Sequence, residues 1–220
     1  MADDEVPTRI RLLEAAVEVM AESGWAGVTS RVVAERARAN NALVHYYFGS
    51  VDALRRAAVM HAVEKELQGP VEAVLRAEDV LDGVEEAIRG LVERGPGSVG
   101  QRVLVEALMQ GLHDAELREQ SLVQVRMFRE ALAARLAEAQ AAGRLRADAD
   151  PAGLAVVIGA LIDGLLLHVL MDPDTDAGGS ASGLIALLRP TGPPGPVGPP
   201  NTRADEHDDD ERGEDDDHAS

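Results

Sequence analysis

Residues Thr29 to Leu54 read TSRVVAERARANNALVHYYFGSVDAL. Thr29 or Ser30 supplies a side-chain oxygen to cap a short helix whose inward side is Val33, Ala34 and Ala37. A four-residue turn follows, and the next helix begins at Asn40 or Asn41. In it Val44, Tyr47 and Phe48 fall at i, i+3 and i+4, so they share a face fit for packing on neighbouring helices. The opposite face carries Asn41, Ala42, His45 and Tyr46. A solvated face more often carries Glu and Lys. Small groups that donate and accept hydrogen bonds suit entry into a DNA major groove about 12 Å wide.

Upstream, Ile10, Leu13, Ala16, Val17 and Met20 recur at helical spacing, with Thr8 as the expected N-cap and Ser23-Gly24 as the stop. Downstream, Val51 to about Leu67 reads as a long connecting helix ended by Gly69-Pro70. Every later periodic segment is helical: Val80 to Glu93, Val99 to Leu112, Ala115 to Ala142 and Ala152 to Met171, with a last short helix at Gly183 to Leu188. Gly143 supplies a C-cap, and Asp150-Pro151 is an N-cap followed by proline at the first helical position. The expected fold is all-α. Five residues of the chain are aromatic, and four of them lie between Trp25 and Phe48. A three-helix unit this small has little core to draw on, so Trp25, Tyr47 and Phe48 are expected to serve as core.

The formal charge of −18 is unfavourable for contact with phosphate, but its distribution matters more than its sum. Residues 190–220 hold ten acids and two arginines, whereas Met1 to Ala57 hold eight acids and seven arginines, a net −1. With no cysteine, disulfides and thiolate metal sites are excluded, as suits a reducing cytoplasm. The N-terminus MADDEVPTR lacks a basic leader followed by an apolar run, so a cytoplasmic location is expected. Ala152 to Leu170 is apolar enough to raise a membrane span, yet Asp163 would sit near the bilayer centre at about 2.5 to 3.5 kcal/mol. A helix buried against other helices is the preferred account, with no membrane partner.

Over Thr29 to Leu54, without a gap, and in the first helix with its Gly24-Trp25 loop, the chain resembles the TetR family of repressors. The resemblance implies that Ser30, Tyr46 and Tyr47 lie near phosphates, that Arg31, Asn41, Ala42 and His45 approach base edges, and that Asn40 caps the recognition helix. Arg31 is able to make a bidentate contact to guanine and Asn41 to adenine. Three departures from the family stand out. Arg38 replaces a turn glycine, where a left-handed residue costs about 1 to 2 kcal/mol. Val51 replaces a phosphate-binding lysine, for which Arg55 or Arg56 is the expected substitute. Asn41 and Ala42 are not the pair of any particular repressor.

The implied organisation is a flexible N-terminus (1–7), an N-terminal three-helix helix-turn-helix DNA-binding domain (8–50), a connecting helix (51–68), a C-terminal helical effector-binding and dimerisation domain (69–189), and a disordered Pro/Gly-rich and acidic tail (190–220). Ala152 to Met171 with the last short helix resembles the pair that forms the family's dimer interface, which implies a homodimer on a palindromic double-stranded DNA operator. Leu104, Leu108, Met109, Met127 and Phe128 are candidates to line a cavity for a small apolar effector, with Asp163 and His168 as polar groups beside it or paired across the dimer. The string Gly95-Pro-Gly97-Ser-Val-Gly100 fits GxGxxG but follows a helix rather than a strand, so it reads as an interhelical loop.

His61, His113 and His168 have no convincing mutual spacing, so neither metal nor cofactor is expected. The tail reads as a solubilising segment, or as a phosphate mimic for the DNA-binding face. The function expected is a ligand-responsive repressor that is not an enzyme. The alternatives are a helical ligand carrier or enzyme with an attached, inert helix-turn-helix, and a dimeric adaptor working through its tail.

Overall fold

The computed structural model describes residues 7–93 and 97–190. The N-terminal segment before Pro7, the start of the glycine string at Gly95 and the proline-rich and acidic tail beyond Pro190 lie outside the described residues. Among those described, the chain forms nine helices and no strand: α1 (Thr8–Gly27), α2 (Ser30–Arg36), α3 (Asn41–Phe48), α4 (Val51–Arg76), α5 (Val80–Glu93), α6 (Val99–Gly111), α7 (Ala115–Ala141), α8 (Pro151–Met171) and α9 (Ala177–Leu188).

Most boundaries follow from side-chain caps. Thr29 caps α2, Asn40 α3, Ser50 α4, Ser98 α6, Asp114 α7, Asp150 α8 and Asp176 α9, each accepting a hydrogen bond from a first-turn backbone N–H. Thr8, expected to cap α1, is instead its first residue, after Pro7. A proline at that place withholds an N–H the helix would have left unpaired anyway. α1 breaks at Gly24, whose φ is 69°, where its end was expected.

Two helices overrun their expected limits. α4 does not stop at Gly69-Pro70 but continues to Arg76. Pro70 forfeits the bond to the Glu66 carbonyl, a loss of about 3 kcal/mol in a helix interior. Its ring is buried, however, and the turn beyond it delivers Val74 to a core. α9 begins at Ala177 rather than Gly183. Its Gly-Ser composition disfavours helix, yet Ala177, Ala181, Ile185 and Leu188 form one buried stripe. In both cases burial outweighs local propensity.

The helices enclose two cores. The first joins Leu12, Ala16 and Met20 of α1, Val33 of α2, Val44 of α3 and Leu54, Ala58 and Val59 of α4, and it is closed by Val103 and Ala107 of α6 and Leu117 of α7. The second joins Val74 of α4, Leu81 and Ile88 of α5, Leu132 and Leu136 of α7, Ile158 of α8 and Ile185 of α9. α4 and α7 contribute to both.

Candidate nucleic-acid interface

α2, its turn and α3 form one locally determined unit. The Thr29 Oγ1 accepts from the Val32 N–H at 3.3 Å, and the Asn40 Oδ1 from the Ala42 N–H at 2.8 Å. Between them the chain turns through Arg38, whose φ of 50° makes it the one non-glycine residue with positive φ among those described. The Ala39 N–H closes this turn on the Ala34 carbonyl at 2.9 Å. The left-handed geometry of a turn glycine is therefore kept with an arginine in place. Gly49, at φ 77°, ends α3 by donating to the His45 carbonyl at 2.9 Å.

α3 turns Val44 wholly inward, with Leu43 and Phe48 half-buried against the first core. Asn41, Ala42, His45 and Tyr46 all face solvent, Tyr46 at 78% exposure. Tyr47 departs from the expected core role, since it is 39% exposed. It stands edge-on to Tyr46 at 5.0 Å between ring centroids and to Phe48 at 6.5 Å. The three rings thus form a ladder from core to solvent, and the two phenol rings lie on its open end. Trp25 and Phe48 keep the packing role, both half-buried beside the first core. Ser30 is half-buried at the start of α2, with Arg31 exposed beside it.

The arginines of this unit divide sharply. Arg36 pairs with Glu18 at 3.2 Å and Glu22 at 2.7 Å, and its hydrogen bond to Glu22 holds that carboxyl below the usual range. Arg9 lies over the Phe48 ring at 5.4 Å. Arg55 donates to the Val28 carbonyl at 2.9 Å, pairs with Asp52 and stacks over Trp25 at 5.8 Å. Arg56 pairs with Asp114 at 3.0 Å and Glu116 at 2.8 Å. Arg55 and Arg56, the expected substitutes for a lysine at Val51, are thereby drawn inward and engaged within the chain. The guanidinium groups of Arg31 and Arg38 make no ion pair or hydrogen bond among the described residues.

The candidate effector residues are less unified. Leu104 is buried and Phe128 half-buried beside the second core, whereas Leu108, Met109 and Met127 are exposed. Asp163 and His168 lie on the outward side of α8. Apolar neighbours push the Asp163 carboxyl above its ordinary range, against the pull of Arg129. Three contacts had no periodic signal to announce them, since they join residues far apart in sequence. They are Trp25 N–H to Glu106 and Arg56 to Asp114 and to Glu116.

Residues 12–58 match the model of the bacterial regulatory proteins of the tetR family, and residues 84–186 match that of the BetI-type transcriptional repressor C-terminal region. The chain belongs to the TetR family. It is 24% identical over 192 residues to the HTH-type transcriptional regulator UidR of Escherichia coli K12, covering 86% of this chain and 94% of that one. Salmonella enterica GusR has the same fold, with a TM-score of 0.69 at 21% identity over 86% of this chain and 98% of that one. So does a transcriptional regulator from Saccharomonospora viridis solved in complex with choline, at TM-score 0.68 and 23% identity, covering 81% and 93%. As a TetR-family chain with the helix-turn-helix in place, the protein is a DNA-binding transcriptional regulator.

Proposed function

We propose that the chain is a cytoplasmic repressor that binds a palindromic operator as a homodimer and releases it when a small apolar molecule binds the region of α6 to α8. The observation that carries the dimer is the outer face of α8. This helix is long and apolar enough to cross a membrane, yet less than a quarter of its most apolar stretch is buried within the chain. Val156, Val157 at 53%, Leu167 and Met171 at 77% stand open on it, with Leu187 of α9 also open at 70%. Covering apolar area yields about 25 cal/mol per Å², and a second copy related by a two-fold axis offers the same patch in return. Asp163 on that face argues against lipid as the cover.

On DNA, Arg31, Asn41, Ala42 and His45 read base edges, while Ser30, Tyr46 and Tyr47 meet phosphates and Asn40 holds the start of α3. The exposure of Arg31, Asn40, Asn41, Ala42, His45, Tyr46 and Tyr47, and the unpartnered guanidinium of Arg31, support these roles; Ser30 is half-buried beside them. The effector is expected to be apolar, because Leu104, Leu108, Met109 and Met127 are aliphatic or thioether groups. Beyond Phe48 the chain has one Phe, Tyr or Trp residue, Phe128, too few for the cage of such rings by which quaternary ammonium ions such as choline are held.

The test is enrichment of duplexes from a random pool by the full chain at physiological salt. The expected product is a palindrome with half-sites about 10 base pairs apart. Equal affinity for enriched and scrambled duplexes would overturn the proposal.

A further inference from the structure

The break in α1 has a partner far away in the sequence. Because Gly24 leaves helical geometry, the turn Trp25–Gly27 starts afresh, and the Trp25 N–H is a first-turn donor with no acceptor in its own helix. The acceptor is Glu106 of α6, whose Oε1 lies 2.6 Å from the Trp25 nitrogen across 81 residues of sequence. A Cβ on residue 24 would come within 2.9 Å of the same oxygen, so the approach also depends on glycine there. From the other side Arg55 of α4 holds the Val28 carbonyl, and Val28 is wholly buried next to Thr29, the cap of α2. The loop that launches α2 is therefore held between α6 and α4. Its neighbour Arg56 ties α4 to Asp114 and Glu116, just past the end of α6.

We propose that Glu106 is a positioning residue for DNA reading: by capping the Trp25 N–H it fixes the α1–α2 loop to α6, so that displacement of α6 is passed to α2 and α3. This rests on the chain being a DNA-reading regulator. α6 is suited to transmit such a displacement. Its Val103 and Ala107 lie in the first core, while Leu108, Met109 and Leu112 at its end face outward, where a bound molecule would act on them. An effector need not touch the helix-turn-helix. Moving α6 breaks or strains one charge-assisted hydrogen bond at the root of α2.

Trp25 is the chain's only tryptophan, so its fluorescence and amide exchange report the contact directly. The experiment compares wild type, Glu106→Ala and Glu106→Gln as full chains. Glu106→Met keeps the length without the oxygen and serves if the alanine variant fails to fold. In Glu106→Ala, exchange at the Trp25 amide is expected to accelerate about tenfold. Affinity for the enriched duplex should fall about tenfold, while affinity for an unrelated duplex at low salt stays within about twofold. Glu106→Gln, which keeps an acceptor oxygen but not its charge, should lie closer to wild type than to Glu106→Ala in exchange and in affinity for the enriched duplex.

Three results overturn the proposal: Trp25 exchange unchanged in Glu106→Ala, Glu106→Gln as impaired as Glu106→Ala, or enriched and unrelated duplexes weakened alike. So does faster exchange with undiminished affinity for the enriched duplex, which leaves a contact that positions nothing. If wild type enriches no duplex, the DNA-reading function fails as well.

Discussion

The α3 surface and the α8 surface are both left open by this chain, and they are made of opposite materials. α3 shows solvent Asn41, Ala42, His45 and Tyr46, and α8 shows it Val156, Val157, Leu167 and Met171. Amide, imidazole and phenol groups satisfy themselves with water at little cost, so such a surface is able to wait for a partner and let it go. Exposed valine and leucine gain from any lasting cover. One face suits a reversible partner and the other a permanent one.

The largest effect should come from spoiling the apolar face. Val157→Glu places a charge on it and should turn a dimer into a monomer by analytical ultracentrifugation, with helix content retained. Affinity for the enriched duplex should fall on the order of 100-fold as the two heads lose their linkage. A variant that stays dimeric would remove α8 from the interface.

Next come the groups proposed to read bases. Asn41→Ala, His45→Ala and Arg31→Ala should each cost about 1 to 3 kcal/mol on the enriched duplex by fluorescence anisotropy. Binding to unrelated DNA should barely change. Equal losses on both duplexes would make these residues general phosphate contacts and blur the contrast with α8.

A smaller gain is expected at the turn. Arg38→Gly should stabilise the chain by about 1 kcal/mol in thermal or urea unfolding, because glycine adopts the φ of 50° without strain. Its effect on DNA affinity then tells whether the unpartnered guanidinium has a role on DNA that justifies the strain.

The smallest effects separate two aspartates by pH. The backbone N–H of Leu117 and then Arg56 hold the Asp114 carboxyl below its usual range, despite some burial. Its folded-state pKa is depressed, so its contribution is present above the unfolded value of about 3.9 and is lost as pH falls through the folded one. Asp114→Asn should lower the thermal midpoint at neutral pH, and the deficit should fade in acid. Asp163 is raised by its apolar surroundings, so the folded chain favours its protonated form and loses stability as pH climbs through the folded pKa. Asp163→Asn should raise the midpoint at neutral pH, with no gain below about pH 4.

What could be read in advance followed the range of the interactions involved. The helix-turn-helix was legible because its determinants are local: Thr29, Asn40 and Ser50 cap within three residues, and Val44 shows its burial by helical period. Asp150-Pro151 and Gly143 were legible for the same reason. Pro70 and the Gly-Ser start of α9 misled because their local preference is overruled by burial that only the assembled cores supply. Tyr47 obeyed the helical period but was shifted outward while Leu43 took the inner place. Glu106, Arg56 and Asp114 were hidden altogether, since a carboxylate that caps a loop 81 residues away looks like any other surface acid in sequence.

The passage of α4 through both cores bears on how the chain can be taken apart. A fragment cut at Gln68 would retain Leu54, Ala58 and Val59 but lose Val103, Ala107 and Leu117, which close the same core from α6 and α7. The head is consequently not a portable cassette. A graft onto another effector module would have to bring the matching α6 and the start of α7 with it, and denaturation should proceed in a single cooperative transition rather than head first.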